Sequence, residues 1–356
     1  MPANIVNAND ASHIEKAVQI LKDGGIVAFP TETVYGLGAD AFNPSAVAKV
    51  FEVKNRPQFN PLIVHVASIQ EASSLWQNTP LSAQRLMEKF WPGPLTLVLP
   101  KTQEVPDIVT SGLKTVGVRM PKNEIALKLI RLLGRPIAAP SANIFGYTSA
   151  TNAFAVAEDF DDKVDMILDG GSTGVGIEST VVKVEKDHVV LLRPGGIDLE
   201  EIKKVAPVVP ADGVLKKAHE SPGEMVSHYA PWTNLSLIGT NFDDSITELR
   251  TLQNNFQQKK TPWPRIGVLL FGSRDLSKLE IGNPLFQVVE VLSPEKNLRE
   301  AAANLFNCLR KLDKMTLDLL IAETLPEQGL GLAIMDRLEK ASAGHVPFRE
   351  FLDNIK

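Results

Sequence analysis

The chain has 356 residues, 44% of them hydrophobic and 22% charged, with a formal net charge of -5. That balance excludes a disordered chain and a wholesale basic nucleic-acid surface, and the length favours two domains, each able to bury its own core. No apolar run approaches the roughly 18 residues of a membrane span, and the start "MPANIVNANDASHIEKA" lacks the basic and apolar regions of a signal peptide, so a cytoplasmic protein is expected.

Over the first 200 residues, helical and β-rich runs alternate. "ASHIEKAVQILKDGG" has helical spacing and stops at a Gly pair, and "IVAFPTETVYGLG" follows as a strand leading into a polar turn. Further strands are predicted at "PLIVHV", "LTLVLP", "TVGVRMP", "PIAAPSA", "STVVKVE" and "VVLLRPGG", all short, β-branched and bounded by Pro or Gly. Helices are predicted over 44–53, 68–76, 80–90, 123–133 and 150–158. The result is a mixed α/β domain with more β than a simple doubly wound repeat supplies.

From about residue 207 the texture changes. The stretch 208–233 is rich in Pro, Gly and charge without a sustained period, and it reads as a linker. Its "SPGEMVSHYAP" holds His228 and Tyr229 between prolines, which suggests a docking conformation of its own and an active-site lid. Beyond it, "LSLIGT", "RIGVLLF", "FQVVEVLS" and "LDLLIAETLP" read as strands, with helices over 242–259, 296–314 and 331–342. That alternation predicts a smaller, Rossmann-like parallel α/β domain over 234–356, following a first domain over 1–207.

The chemistry gathers at strand ends of the first domain. "FPTETVYGLG" carries Thr31, Glu32, Thr33 and Tyr35; "KNRPQFN" carries Lys54, Arg56 and Asn60; "TVGVRMP" carries Thr115 and Arg119. "APSANIFGYTS" adds Ser141, Asn143 and Ser149, "GGSTGVGIEST" adds Ser179, and "LLRPGG" adds Arg193. Polar and cationic residues at successive strand ends form a ligand-binding rim in α/β proteins. Lys54, Arg56, Arg119 and Arg193 suit a polyanion, since Arg grips phosphate or carboxylate as a fork and Lys acts as a point charge. A triphosphate fits. Read alone, "KNRP" is as compatible with a pair of solvated surface charges.

Other chemistries are less well served. "GGSTGVG" lacks the Lys-Ser/Thr ending of a phosphate loop and runs into a strand, so its glycines make a tight turn. Ser141 has no nucleophile elbow, and the 6 histidines include no HExxH pair. His65, within "LIVHV", is either a hydrogen-bonded core residue or a substrate contact. Cys308, the only cysteine, reads as a small buried hydrophobe. No protein-bound metal is implied, although a nucleotide would bring its own Mg2+.

Taken in order, "FPTETVYGLG", "KNRP" with "NPLIVHV", "WPGPLTLVL", "VGVRMP", "APSAN", "STVV" and "RPGG" resemble the YrdC-like threonylcarbamoyl-adenylate synthases. "SPGEMVSHYAP" and "GLGLAIMDRLEKA" are similar to the longer, two-domain form of that family. The resemblance implies a mixed twisted-sheet domain with a concave basic cleft, and synthesis of L-threonylcarbamoyl-AMP from L-threonine, bicarbonate and ATP with release of pyrophosphate. It implies that the product passes to a tRNA threonylcarbamoyl transferase complex; direct tRNA contact is not read from the sequence.

Carried over by position, Lys54, Arg56, Thr115, Ser141, Asn143, Ser149 and Arg193 match the family's nucleotide-contacting surface, with His228 and Tyr229 of the linker added as ATP contacts. Lys54, Arg56, Ser141 and Asn143 are the residues expected at the chemistry. Thr33, Asn60, His65, Arg119, the backbone around Ala139 and Ser179 match the threonine and bicarbonate side, with Thr31 as a neighbour not separable from Thr33. Two other readings are a double-stranded RNA-binding module without catalysis and a carbamoyl-transfer domain. The acidic total charge weighs against the first, and the absence of accompanying cysteine-rich modules against the second.

Overall fold

The computed structural model describes residues 4–210, 227–239, 242–274, 285–347 and 350–351. Two units emerge, one of Met1–Phe145 with Ser149–Met225 and one of Gly146–Thr148 with Val226–Lys356. Of the expected linker, residues 211–226 lie outside the described residues, whereas Val208–Pro210 form a strand.

In the first unit the strands are β1 (Ile5–Asn7), β2 (Val27–Phe29), β3 (Gly36–Asp40), β4 (Ile63–His65), β5 (Leu95–Pro100), β6 (Thr115–Arg119), β7 (Ile137–Ala138), β8 (Met166–Asp169), β9 (Thr180–Val184), β10 (Val189–Arg193) and β11 (Val208–Pro210). They make one 11-stranded sheet in the order β1-β8-β2-β3-β7-β4-β6-β5-β9-β10-β11. Parallel and antiparallel pairs are mixed, as the surplus of short strands predicts: β4 pairs parallel with β6, and β5 pairs antiparallel with β6 but parallel with β9.

Helices cover this sheet because their apolar stripes have nowhere else to go. Leu127, Ile130 and Leu133 of the helix Glu124–Leu133 join Ile14 and Leu21 of the helix Ala11–Lys22 in one buried cluster with Phe29 and Leu168. Val50, Phe51, Leu86 and Phe160 form another with Leu97 and Val182. Each such side chain contributes about 1.5–3 kcal/mol on burial, so a one-residue slip of a strand, which turns its core face to solvent, is strongly disfavoured.

Helix starts follow side-chain chemistry. Asn43 and Asn123 each accept from two amides of the helix they precede. The helix predicted over 150–158 instead runs Ala153–Phe160, because Asn152 caps it by accepting from Ala155 N, while the Ala150 and Thr151 carbonyls accept from Tyr35 and Thr173.

The second unit holds β12 (Leu235–Ile238), β13 (Ile266–Leu270), β14 (Val288–Val291) and β15 (Leu319–Glu323) in the order β12-β15-β13-β14, with every pair parallel. The helices Phe242–Gln258, Leu298–Asp313 and Leu330–Ser342 lie where the spacing predicts them. Among the described residues, no helix is long and apolar enough to cross a membrane.

Candidate active site

The "KNR" turn is built by the end of the helix Pro44–Val53. Asn55 N donates to Glu52 O at 3.0 Å and Arg56 N to Phe51 O at 2.9 Å, the two bonds of a Schellman cap. That cap needs a left-handed residue, and Asn55 takes φ 51, a conformation asparagine tolerates better than most side chains. The turn sends its neighbours inward: Lys54 is 1% exposed and Arg56 6%. A solvated surface pair is thereby excluded.

Lys54 Nζ donates to Ser141 O at 2.6 Å and to Asn143 O, so the lysine fastens the "SAN" loop from below. Arg56 donates through Nε to Asn60 O at 3.0 Å and through Nη2 to Asn60 Oδ1 at 2.7 Å and Pro61 O at 2.9 Å. Its guanidinium also lies 5.8 Å from the Phe145 ring centre. The predicted residues Lys54, Arg56, Asn60, Ser141 and Asn143 thus come together, linked to the first turn by Ala142 N donating to Tyr35 O at 2.7 Å.

Arg119 organises a neighbouring cluster. Its Nη1 donates to Thr33 Oγ1 at 2.9 Å and its Nε to Gly93 O at 3.3 Å. Arg119 Nη2 lies 2.7 Å from Glu32 Oε1, within ion-pair range but off the hydrogen-bond line. The "WPGP" segment supplies Gly93, where a Cβ would stand 2.3 Å from Phe90 O, so only glycine fits and its carbonyl reaches Arg119. In the sheet, His65 sits opposite Arg119, and the Ala139 amide donates to Ile63 O at 2.9 Å. Ala139 is thereby seated beside β4.

His65 is buried, and burial first and the Arg119 cation second push its pKa down to about 3. It is a neutral imidazole at physiological pH, unable to serve as an acid there. Because the folded state disfavours the imidazolium, its contribution to stability is present above the unfolded value of about 6.5 and is lost as pH falls toward 3. Urea titrations are expected to show wild type losing about 1.4 kcal/mol per pH unit more than His65→Phe in that window. Parallel pH profiles would contradict the assignment.

A third group lies around β9 and β10. Arg193 Nη2 donates to Ser179 O at 3.0 Å and Ser179 Oγ at 3.2 Å, and Ser179 Oγ shares a 2.8 Å hydrogen bond with Thr96 Oγ1. The "RPGG" glycines explain themselves: a Cβ on Gly195 would stand 2.3 Å from Ser179 C. Ser149 Oγ donates to the buried Glu178. Thr115 opens β6 opposite Pro100 and is half-buried.

Sequence reasoning gave no role to Glu178, Thr96 or Gly93, and left Glu32 without one. A lone acid inside a cation-rich set, as in "GIEST", is the signal that was available. The glycine loop behaves as a turn: the amides of Thr173, Val175 and Gly176 donate to Thr151, Glu32 and Thr33 carbonyls, so they are already spoken for. His228 and Tyr229 belong to the second unit, where His228 N donates to Lys340 O at 3.1 Å and Tyr229 is 1% exposed. Among the described residues there is no group of three or more His, Cys, Asp or Glu placed to hold a metal ion.

Residues 19–195 match the Sua5, YciO and YrdC family model described as "Telomere recombination", and residues 197–343 match the model described as "Threonylcarbamoyl-AMP synthase, C-terminal domain". A threonylcarbamoyl-AMP synthase of Pyrococcus abyssi is 45% identical over 335 residues, covering 92% of this chain and 94% of the relative. One of Bacillus subtilis is 43% identical over 345 residues, covering 96% of each. The crystal structure of P. abyssi Sua5 complexed with L-threonine superposes with a TM-score of 0.84 at 44% identity, covering 96% of this chain and 98% of that one.

Proposed function

Because the chain belongs to the threonylcarbamoyl-AMP synthase family, in its two-domain form, we propose that it joins L-threonine, bicarbonate and ATP into L-threonylcarbamoyl-AMP and releases pyrophosphate. One observation carries the reading in this chain: Lys54, Arg56, Arg119 and Arg193 are all buried in one unit, each held by loop carbonyls or hydroxyls of the motifs that flank it. Cations fixed before the substrate arrives need no reorganisation as charge gathers on phosphoryl oxygens and leaving pyrophosphate.

Lys54, Arg56, Thr115, Ser141, Asn143, Ser149 and Arg193 are the nucleotide side of this proposal. Thr33, Asn60, His65, Arg119, Ala139 and Ser179 are the threonine and bicarbonate side. Threonine's amine attacks the carbon of bicarbonate with loss of water to give the carbamate, whose carboxylate oxygen attacks the α-phosphate in line and displaces pyrophosphate, so no protein nucleophile is called for. Mg2+ arrives with ATP on its phosphates. The product, a mixed anhydride, is consumed by a tRNA threonylcarbamoyl transferase complex in the cytoplasm. Residues 1–207 are proposed as the catalytic domain, and the linker as a lid contributing His228 and Tyr229 to ATP binding; 221–226 of its central motif lie outside the described residues.

Purified protein should release pyrophosphate and AMP-linked product from ATP only when threonine and bicarbonate are both present. ATP turnover indifferent to both would end this reading. Arg56→Ala is expected to weaken ATP binding by roughly tenfold to a hundredfold, the worth of a charge-assisted hydrogen bond, and threonine binding less. Calorimetry with each ligand checks the order.

A further inference from the structure

The hydroxyls of Thr31 and Thr33 lie 2.8 Å apart, and the direction of the bond between them can be worked out. A threonine hydroxyl has one proton to give and two lone pairs to accept with. Thr31 Oγ1 is 2.7 Å from Val34 O, a carbonyl that only accepts, so Thr31 spends its proton there. At the 2.8 Å contact Thr33 is therefore the donor. The Thr33 amide also donates to Thr31 Oγ1 at 3.1 Å, which fills the second lone pair of Thr31. The Thr31 hydroxyl is saturated and has nothing left for a ligand.

Thr33 is left differently. Its proton is committed to Thr31, and one lone pair is taken by Arg119 Nη1 at 2.9 Å. One lone pair remains. The polarity is braced from behind, since Arg119 Nη2 is held 2.7 Å from Glu32 Oε1 and Glu32 Oε2 accepts from Lys122 N at 3.0 Å.

We propose that Thr31 is a positioning residue that fixes Thr33 as a hydrogen-bond acceptor, and that Thr33 thereby recognises the amine of the amino-acid substrate. This rests on the threonine-binding reading given above. Arg119 is the partner for the substrate carboxylate, and the group adjacent to the carboxylate in an α-amino acid is its nitrogen. That nitrogen carries a proton to donate as ammonium, as free amine and as carbamate N–H. The contact with Thr33 is thus kept from the bound substrate through to the carbamate, and a carboxylic acid without the nitrogen gains nothing from it.

The test is calorimetry on the full chain with L-threonine, with ATP, and by competition with 3-hydroxybutyrate, which keeps the carboxylate and hydroxyl but lacks the amine. Thr31→Val removes the proton acceptor and leaves the Thr33 proton facing the substrate. It is expected to weaken L-threonine about tenfold or more while leaving 3-hydroxybutyrate and ATP unchanged, and Thr31→Ser is expected to restore wild-type affinity. Thr33→Val should show the same selective loss, which keeps the idea testable if Thr31→Val does not fold. Wild-type threonine affinity in Thr31→Val, or equal losses for threonine and 3-hydroxybutyrate in the soluble variants, overturns the proposal alone. Wild-type protein that binds no threonine overturns the functional reading and this inference with it.

Discussion

Arg119→Ala is expected to lower threonine-dependent pyrophosphate release by about 100-fold or more, the usual cost of removing a well-placed donor at a site where charge develops. The same change leaves the half-buried Glu32 without its cation and takes a donor from Thr33 and Gly93. Deleting one partner of a fully buried pair costs about 3 kcal/mol or more, and this pair, buried on the arginine side and half-buried on the other, loses less than that but enough for the variant to melt earlier. Arg119→Lys separates the two effects. It keeps a charge beside Glu32 and recovers most of the stability, but it lacks the planar fork and recovers little activity. Arg119→Ala with a wild-type melting profile and wild-type turnover would contradict both halves.

Tyr229→Ala is expected to destabilise the second unit by about 3 kcal/mol, as large-to-small changes of buried aromatics do. The ring packs 5.7 Å from Phe306 and carries the Arg337 guanidinium 5.0 Å from its centre. A second, opposite signature comes from the backbone, because Tyr229 holds φ 64, a left-handed conformation in which alanine is strained and glycine is not. Tyr229→Gly should therefore be about 1 kcal/mol more stable than Tyr229→Ala, the reverse of the order at an ordinary site. Hydrogen exchange at the β15 amides reads both effects, and Ala outperforming Gly would refute the strain argument.

Much of this architecture is legible in the sequence because it is written in local chemistry. The strands "LTLVLP" and "RIGVLLF" and the helices capped by Asn43 and Asn297 have one reading each, since apolar period, β-branching and the cap agree. The strand Gly36–Asp40 is harder, because "GLGAD" has almost no β-propensity. It is a strand for a non-local reason: a Cβ on Gly38 would stand 2.7 Å from the Phe29 ring and from Ile137, so glycine lets strands of distant origin close up. At the site, residue identities were readable from motifs, whereas their partners were not. Nothing in "KNRP" says that Lys54 will seek the Ser141 carbonyl 87 residues later, or that Asn60 will be taken by Arg56.

The 11-stranded sheet ends on one side at Ile5–Asn7 and on the other at Val208–Pro210, and each terminal strand is 3 residues long. Short borders are a defence against self-association, because a neighbouring molecule finds too few open amides and carbonyls to zip onto, and Pro210 brings no N–H at all. Val208–Pro210 runs parallel to the longer "VVLLR" strand and covers it. A fragment cut at residue 207 would lay that apolar strand bare. Its failure mode would be oligomers and precipitate, so Val208–Pro210, the first residues of the predicted linker, act as a solubility device for the first unit.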